Sequence, residues 1–147
     1  MREGVSSPSR LDDVVAVPGD KSISHRAALL NSISHGTAHV TNFCMGDDRT
    51  SMLRCLRGLG VRITRHSNCA VSGLKECFQI IGRGLEGLSE PSSVLNAGNS
   101  GTTIRLISGL LAAQPFLSVI SGDRSLRKRP MSRIVHPLVE MGAMVMG

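Results

Sequence analysis

Val17-Pro-Gly-Asp-Lys-Ser-Ile-Ser-His-Arg26, running into the mostly apolar stretch 27–34, decides how this chain folds. Pro18 and Gly19 interrupt a short apolar run, Val14–Val17, which reads as a strand. Asp20 or Ser22 can cap a following helix, because their side-chain oxygens accept the open N–H groups of its first turn. The helix is expected over 22–34, with Ile23, Ala27, Leu30 and Ile33 near helical spacing. Ala28 and Leu29 spread the apolar character around its circumference, so it is expected to be largely buried. Lys21, Ser22 and Arg26 fall within the first turn and a half. A helix start already favours an anion through its unpaired N–H groups and dipole. Two cations and a hydroxyl placed there point to a phosphate or carboxylate site. A capped helix with solvated charges is the plainer reading, and the rest of the chain decides between them.

Beyond this segment, Gly36 stops the helix and 37–43 reads as a strand. A second helix is expected over 48–59, capped by Asp47 and closed by Gly60, with Met52, Leu53, Leu56 and Leu59 as its apolar stripe. Strands are expected at 61–64, 70–72 and 77–81, and a Gly-rich connector over 82–93. A second pass follows: a strand at 94–96, a Gly/hydroxyl loop at 97–103, a helix over 103–113 and a strand at 116–121. Pro130 is expected to start the next helix, over 132–141, and a strand to begin at 143–146.

The two passes overlay. Gly19 matches Gly98, Arg26 matches Arg105 and Val40 matches Val119, each pair 79 residues apart. Each pass reads as strand, Gly turn, helix, strand, helix, strand. The fold class is therefore α/β, with a repeated βαβ-rich unit. The helices near Ser22 and Thr103 are expected to be more buried than those near Asp48 and Ser132.

At 147 residues the chain is long enough for one domain with a core. Its 41% apolar and 19% charged content is globular rather than disordered. With no Trp or Tyr and only 3 Phe, the core must be aliphatic and a base-stacking single-strand binder is disfavoured. Small anionic substrates account for the net charge of +6 with fewer requirements than nucleic acid does. Cys44, Cys55, Cys69 and Cys77 form no Cys-x-x-Cys pair and have no His at zinc-ligand spacing. Reduced thiols, a cytoplasmic setting and no metal are the expectation. No apolar run approaches the ~18–20 residues of a membrane span, and 1–10 lacks a signal-peptide core.

Three motifs carry the chemistry. Gly19-Asp-Lys-Ser22 lacks the earlier Gly of a P-loop, and its Gly is not adjacent to Lys. In Gly98-Asn-Ser-Gly-Thr-Thr103, Gly98 and Gly101 let backbone approach a ligand, while Asn99, Ser100 and Thr102 add donors. Gly122-Asp-Arg-Ser-Leu-Arg-Lys-Arg-Pro130 packs 4 cations into six residues. An Arg beside a rigid Pro can clamp a carboxylate or phosphate through two parallel hydrogen bonds.

In order and spacing, these motifs resemble those of the 5-enolpyruvylshikimate-3-phosphate (EPSP) synthase family. The likeness runs from about residue 14 to residue 147. It implies transfer of the enolpyruvyl group of phosphoenolpyruvate to the 5-hydroxyl of shikimate 3-phosphate, with release of phosphate and with neither metal nor organic cofactor. It also implies two similar domains of βαβαββ units, an inside-out barrel whose buried helices aim their N-termini at a cleft. Carried over by motif position, Lys21 touches both substrates and is the catalytic cation. Ser22 and Arg26 hold shikimate 3-phosphate, and Gly101 and Arg129 meet phosphoenolpyruvate. Asn99, Thr102 and Arg105 shape the second site, and Asp123, Arg124 and Lys128 receive no ligand.

Family members are roughly three times this length. The resemblance therefore makes 21–147 a partial N-terminal domain, with 1–20 a strand and hinge segment belonging to the opposite domain. It places the family's acidic catalytic groups and remaining substrate ligands in a C-terminal remainder, the partner this chain needs, so the chain alone is expected to be inactive. No nucleic-acid or membrane partner is expected. The alternatives are a nucleotide-sugar enolpyruvyl transferase, against which Lys-Ser-x-Ser-His-Arg counts, and a non-catalytic anion- or nucleic-acid-binding module.

Overall fold

The computed structural model describes residues 12, 14–44, 46–69 and 76–147, with the backbone alone at 47–49. Helix α1 spans Lys21–Ser32, β1 His35–Thr41, α2 Asp47–Gly58, β2 Arg62–His66 and β3 Cys77–Arg83. The second pass supplies β4 (Leu95–Asn96), α3 (Gly101–Leu111), β5 (Ile120–Ser121), a 3₁₀ turn (Leu126–Lys128) and α4 (Ser132–Glu140). The order helix, strand, helix thus recurs as α1–β1–α2 and α3–β5–α4. β1, β3 and β2 form an antiparallel sheet in that spatial order, with Val40 opposite Phe78 and Ile63 opposite Ile80. β4 and β5 pair in parallel. Among the described residues neither sheet closes into a barrel.

The core is mostly aliphatic, as the composition requires, with Phe43 and Phe78 within it. Met52, Leu53, Leu56 and Leu59 of the α2 stripe are buried with Val61, Ile63, Phe78 and Ile80, and Leu95, Ile107 and Leu110 extend the cluster into the second pass. Phe43 and Phe78 meet with ring centres 5.0 Å apart. Each fully buried Leu or Ile contributes about 1.5–3 kcal/mol, so this cluster is the main reason the two passes hold together. Gly60 follows α2 with φ +84°, a conformation that suits a residue without Cβ.

Helix α1 departs from its expected packing. Ile23 and Leu30 are exposed, while Ser24, His25, Ala28 and Ser32 form the buried face. Polar groups can occupy that face because each binds its own helix. The Ser24 hydroxyl donates to the Asp20 carbonyl (2.7 Å), His25 Nδ1 to the Lys21 carbonyl (2.7 Å) and the Ser32 hydroxyl to the Ala28 carbonyl (2.7 Å). Helix α2 accordingly buries more apolar surface than α1, reversing the expected ranking. The expected ranking does hold for α3, with five buried residues, over α4, which has none.

Other boundaries shift for local reasons. The expected strand at 14–17 does not form among the described residues, and Val14, Val15 and Val17 are exposed. The segment is held where Asn42 Nδ2 donates to the Val17 carbonyl (3.2 Å). Gly46, not Asp47, precedes α2 as its cap, without a side-chain bond. Helix α1 ends at Ser32, and Gly36 instead enters β1 with φ +94°. Pro130 lies outside α4, which Met131 caps, and 143–146 forms no strand. The strand expected at 116–121 shrinks to Ile120–Ser121. The strand expected at 70–72 lies outside the described residues. The cysteines also correct the sequence reading: Cys69 and Cys77 are joined as a disulfide with Cα atoms 5.5 Å apart, leaving Cys44 and Cys55 as thiols. Cys77 opens β3 opposite His66, the last residue of β2, and Cys69 lies only three residues past His66, so the two meet without a Cys-x-x-Cys signature. Among the described residues no helix is long and apolar enough to cross a membrane.

Candidate anion site

The parallel pairing of β4 and β5 sets Leu95 opposite Ile120 and Asn96 opposite Ser121, so the loops leaving their C-terminal ends lie side by side. Gly98 turns the first loop with φ +58°, its N–H held by Asn96 Oδ1 at 2.8 Å. Asp123 N–H donates to the Gly98 carbonyl at 2.8 Å, joining the loops. Leu126 is buried against Ala97 and Ile104, which anchors the second loop from below. The 3₁₀ turn then delivers Arg129.

These contacts bring four of the expected residues together. Arg129 Nη2 donates to Asn99 Oδ1 at 2.5 Å. Arg129 Nη1 lies 3.0 Å, and Arg105 Nη1 3.5 Å, from the point where a Cβ on Gly101 would stand. Gly101 heads α3, whose cap Ser100 is buried and accepts Thr103 N–H at 3.1 Å. Thr102 is the next helical residue and is half-buried. Two guanidiniums near one bare stretch of backbone, at a helix N-terminus, repel each other and attract an anion. Like charges this close repel each other, the more so where water is partly excluded. An anion placed between them relieves the repulsion. Asp123, Arg124, Ser125 and Lys128, on the same loop as Arg129, line a shallow open depression of 560 Å³.

Lys21, Ser22 and Arg26 form a second group, exposed on the first turns of α1. Asp20 is the cap, its Oδ1 accepting Ile23 N–H at 2.7 Å, and Ser22 lies inside the helix. Arg26 Nη1 reaches the Ser22 carbonyl at 3.3 Å. Helix α1 packs on both α2 and α3, so the two groups sit on neighbouring helices.

Sequence reading missed two residues that hold this arrangement. Ser24 fixes α1 to the loop after β1 by accepting Cys44 N–H at 2.9 Å. Asp123, which received no role, ties the two site loops together. Its signal was present: an Asp three residues before an apolar residue in a polar loop is an Asx-type cap.

An α/β unit that sets cations at the N-termini of two adjacent helices has the electrostatics to hold a small, multiply charged anion. Comparison with known proteins narrows this. The EPSP synthase (3-phosphoshikimate 1-carboxyvinyltransferase) family pattern matches residues 5–147. A 3-phosphoshikimate 1-carboxyvinyltransferase of Herpetosiphon aurantiacus is 52% identical over the whole chain, and one of Alkaliphilus metalliredigens is 54% identical over 94% of it. The solved EPSP synthase of Acinetobacter baumannii superposes with a TM-score of 0.80 at 46% identity, over 90% of this chain and 29% of that one. The chain belongs to the EPSP synthase family. It spans about a third of the length of these curated relatives, 32% and 31%.

Proposed function

We propose that this chain is part of an enzyme that transfers the enolpyruvyl group of phosphoenolpyruvate to the 5-hydroxyl of shikimate 3-phosphate, in the shikimate pathway of aromatic amino acid biosynthesis. The observation that carries this reading is the convergence of Arg129 and Arg105 on the bare backbone of Gly101. Phosphoenolpyruvate bears a carboxylate and a phosphate, and that convergence suits either group. In this reading Lys21, Ser22 and Arg26 hold shikimate 3-phosphate, with Lys21 also reaching phosphoenolpyruvate. Asn99 and Thr102 support the second site.

In the reaction the 5-oxygen bonds to the central enol carbon while the methylene carbon gains a proton. The tetrahedral adduct then expels phosphate and loses a proton from the new methyl group. Negative charge moves onto the departing phosphate, and fixed cations stabilise it without reorganising. The roles proposed for Lys21, Arg105 and Arg129 are binding, orientation and this charge stabilisation. The proton-transferring acids belong to the remainder of the enzyme, so residues 21–147 act as one wall of a cleft, 1–20 as the hinge segment, and the cytoplasm as its setting. No metal or organic cofactor enters the scheme.

The test is phosphate release on mixing both substrates, measured for this chain alone and together with a separately expressed C-terminal remainder. Turnover is expected only for the pair, and is lost on Lys21→Ala. Turnover by the chain alone would refute the assignment of one wall to this segment.

A further inference from the structure

We infer that Asp123 is a positioning residue that, through the side-chain amide of Asn99, sets the direction of the Arg129 guanidinium beside Gly101. For its ligand this rests on the phosphoenolpyruvate reading above. The orientation itself rests on geometry alone.

Asp123 is held at three points. Its N–H donates to the Gly98 carbonyl (2.8 Å), its carbonyl accepts Arg127 N–H (3.0 Å), and its Oδ1 accepts Leu126 N–H (2.7 Å). Oδ2 is thereby aimed at Asn99, whose Nδ2 donates to it at 2.8 Å. A carboxylate only accepts and a guanidinium only donates. The Asn99 amide between them therefore has one orientation, NH2 toward Asp123 and oxygen toward Arg129, where Nη2 donates at 2.5 Å. The relay converts the fixed position of Asp123 into a fixed direction for a long, exposed side chain that would otherwise sample many rotamers.

Asp123→Asn isolates this role. The new amide oxygen still accepts Leu126 N–H, and Asn caps such a turn as well as Asp does. The atom facing Asn99 becomes an NH2, so two donors meet. Flipping Asn99 relieves that clash but turns its own NH2 onto Arg129. Unflipped, Asn99 keeps its oxygen toward Arg129 but loses the anchor on its NH2; flipped, it denies the guanidinium its acceptor. In both cases Arg129 loses a fixed acceptor, with the loop otherwise intact.

The experiment follows the arginine side-chain resonances of the isotopically labelled chain, with Arg129 assigned through Arg129→Lys, alongside titration with phosphoenolpyruvate. The chains compared are the wild type, Asp123→Asn, Asn99→Ala and the double variant. In the wild type, rotation of the Arg129 guanidinium is expected to be slowed. Asp123→Asn and Asn99→Ala should each abolish the slowing and weaken phosphoenolpyruvate by about fivefold. The double variant should be no weaker than Asn99→Ala, because Asp123 acts only through that amide. An unchanged Arg129 resonance in Asp123→Asn, or a further loss in the double variant, overturns the inference. If Asp123→Asn does not fold, Asn99→Ala decides, since it leaves the Asp123 backbone bonds in place: a still-slowed Arg129 refutes the relay. If Arg129 responds as expected but the wild type does not bind phosphoenolpyruvate, the proposed function fails while the positioning role stands.

Discussion

The guanidinium of Arg129 is packed against Gly101, one Nη nitrogen standing 3.0 Å from the place a Cβ would take. Position 101 is thus kept bare by a neighbouring side chain as well as by any ligand. Gly101→Ala should fold, because the crowded atom is the end of a flexible chain that can swing aside. It should move Arg129 off its line and weaken phosphoenolpyruvate about tenfold, with little effect on shikimate 3-phosphate. Calorimetric titration of the two ligands separately checks this, and equal losses would place Gly101 elsewhere in the site.

Arg26→Ala should do the opposite. Losing a charged hydrogen bond costs about 1.5–3 kcal/mol, here expected in shikimate 3-phosphate affinity of the whole enzyme. Phosphoenolpyruvate affinity should change little, whereas Lys21→Ala should weaken both.

Gly19→Ala tests the anchoring of α1 rather than its chemistry. A Cβ at residue 19 would collide with the carbonyl of Asn42, itself in a left-handed conformation at φ +49°. Both groups are backbone, so neither yields cheaply. A loss of about 1–3 kcal/mol is expected in urea unfolding, and a neutral result would mean that the 17–20 segment does not rest on the 42–44 turn.

Burial pushes the Cys55 thiol up to about 11, outweighing the opposite pull of Arg54. The folded state therefore keeps a proton that the unfolded chain releases near its usual value of 9.0. Stability from this group is intact below pH 9 and is lost as pH rises toward 11, by roughly 1–3 kcal/mol. Urea midpoints across that range should fall, and Cys55→Ser should flatten the fall. Without reductant, thiol reagents in denaturant should count two free groups, Cys44 and Cys55.

The sequence was informative where burial follows an apolar pattern. The stripe of α2, the left-handed Gly60 and the recurrence of helix, strand, helix are all readable from spacing, because methyl groups have no other way to be satisfied. Helix α1 was misread for the converse reason. Its hydroxyls and the Nδ1 of its imidazole are satisfied by carbonyls one turn back, so the polar face could go inward while Ile23 and Leu30 stayed outside. The Gly101 cluster was legible only as separate motifs; the parallel β4–β5 pair that joins them is two residues long on each side. The disulfide and the Asp123 relay depend on register and loop contact, which no spacing encodes.

A helix seated on methyl groups can roll or slide a little with a graded loss of contact. Helix α1 is seated differently at its working end, where Ser24 takes the single N–H of Cys44. That bond indexes the helix: it is made at one angle and one height, and at any other it is absent. Lys21 and Arg26 therefore inherit a fixed bearing from a residue that carries no charge. Ser24→Ala would leave both cations in the sequence and free the dial on which they are mounted.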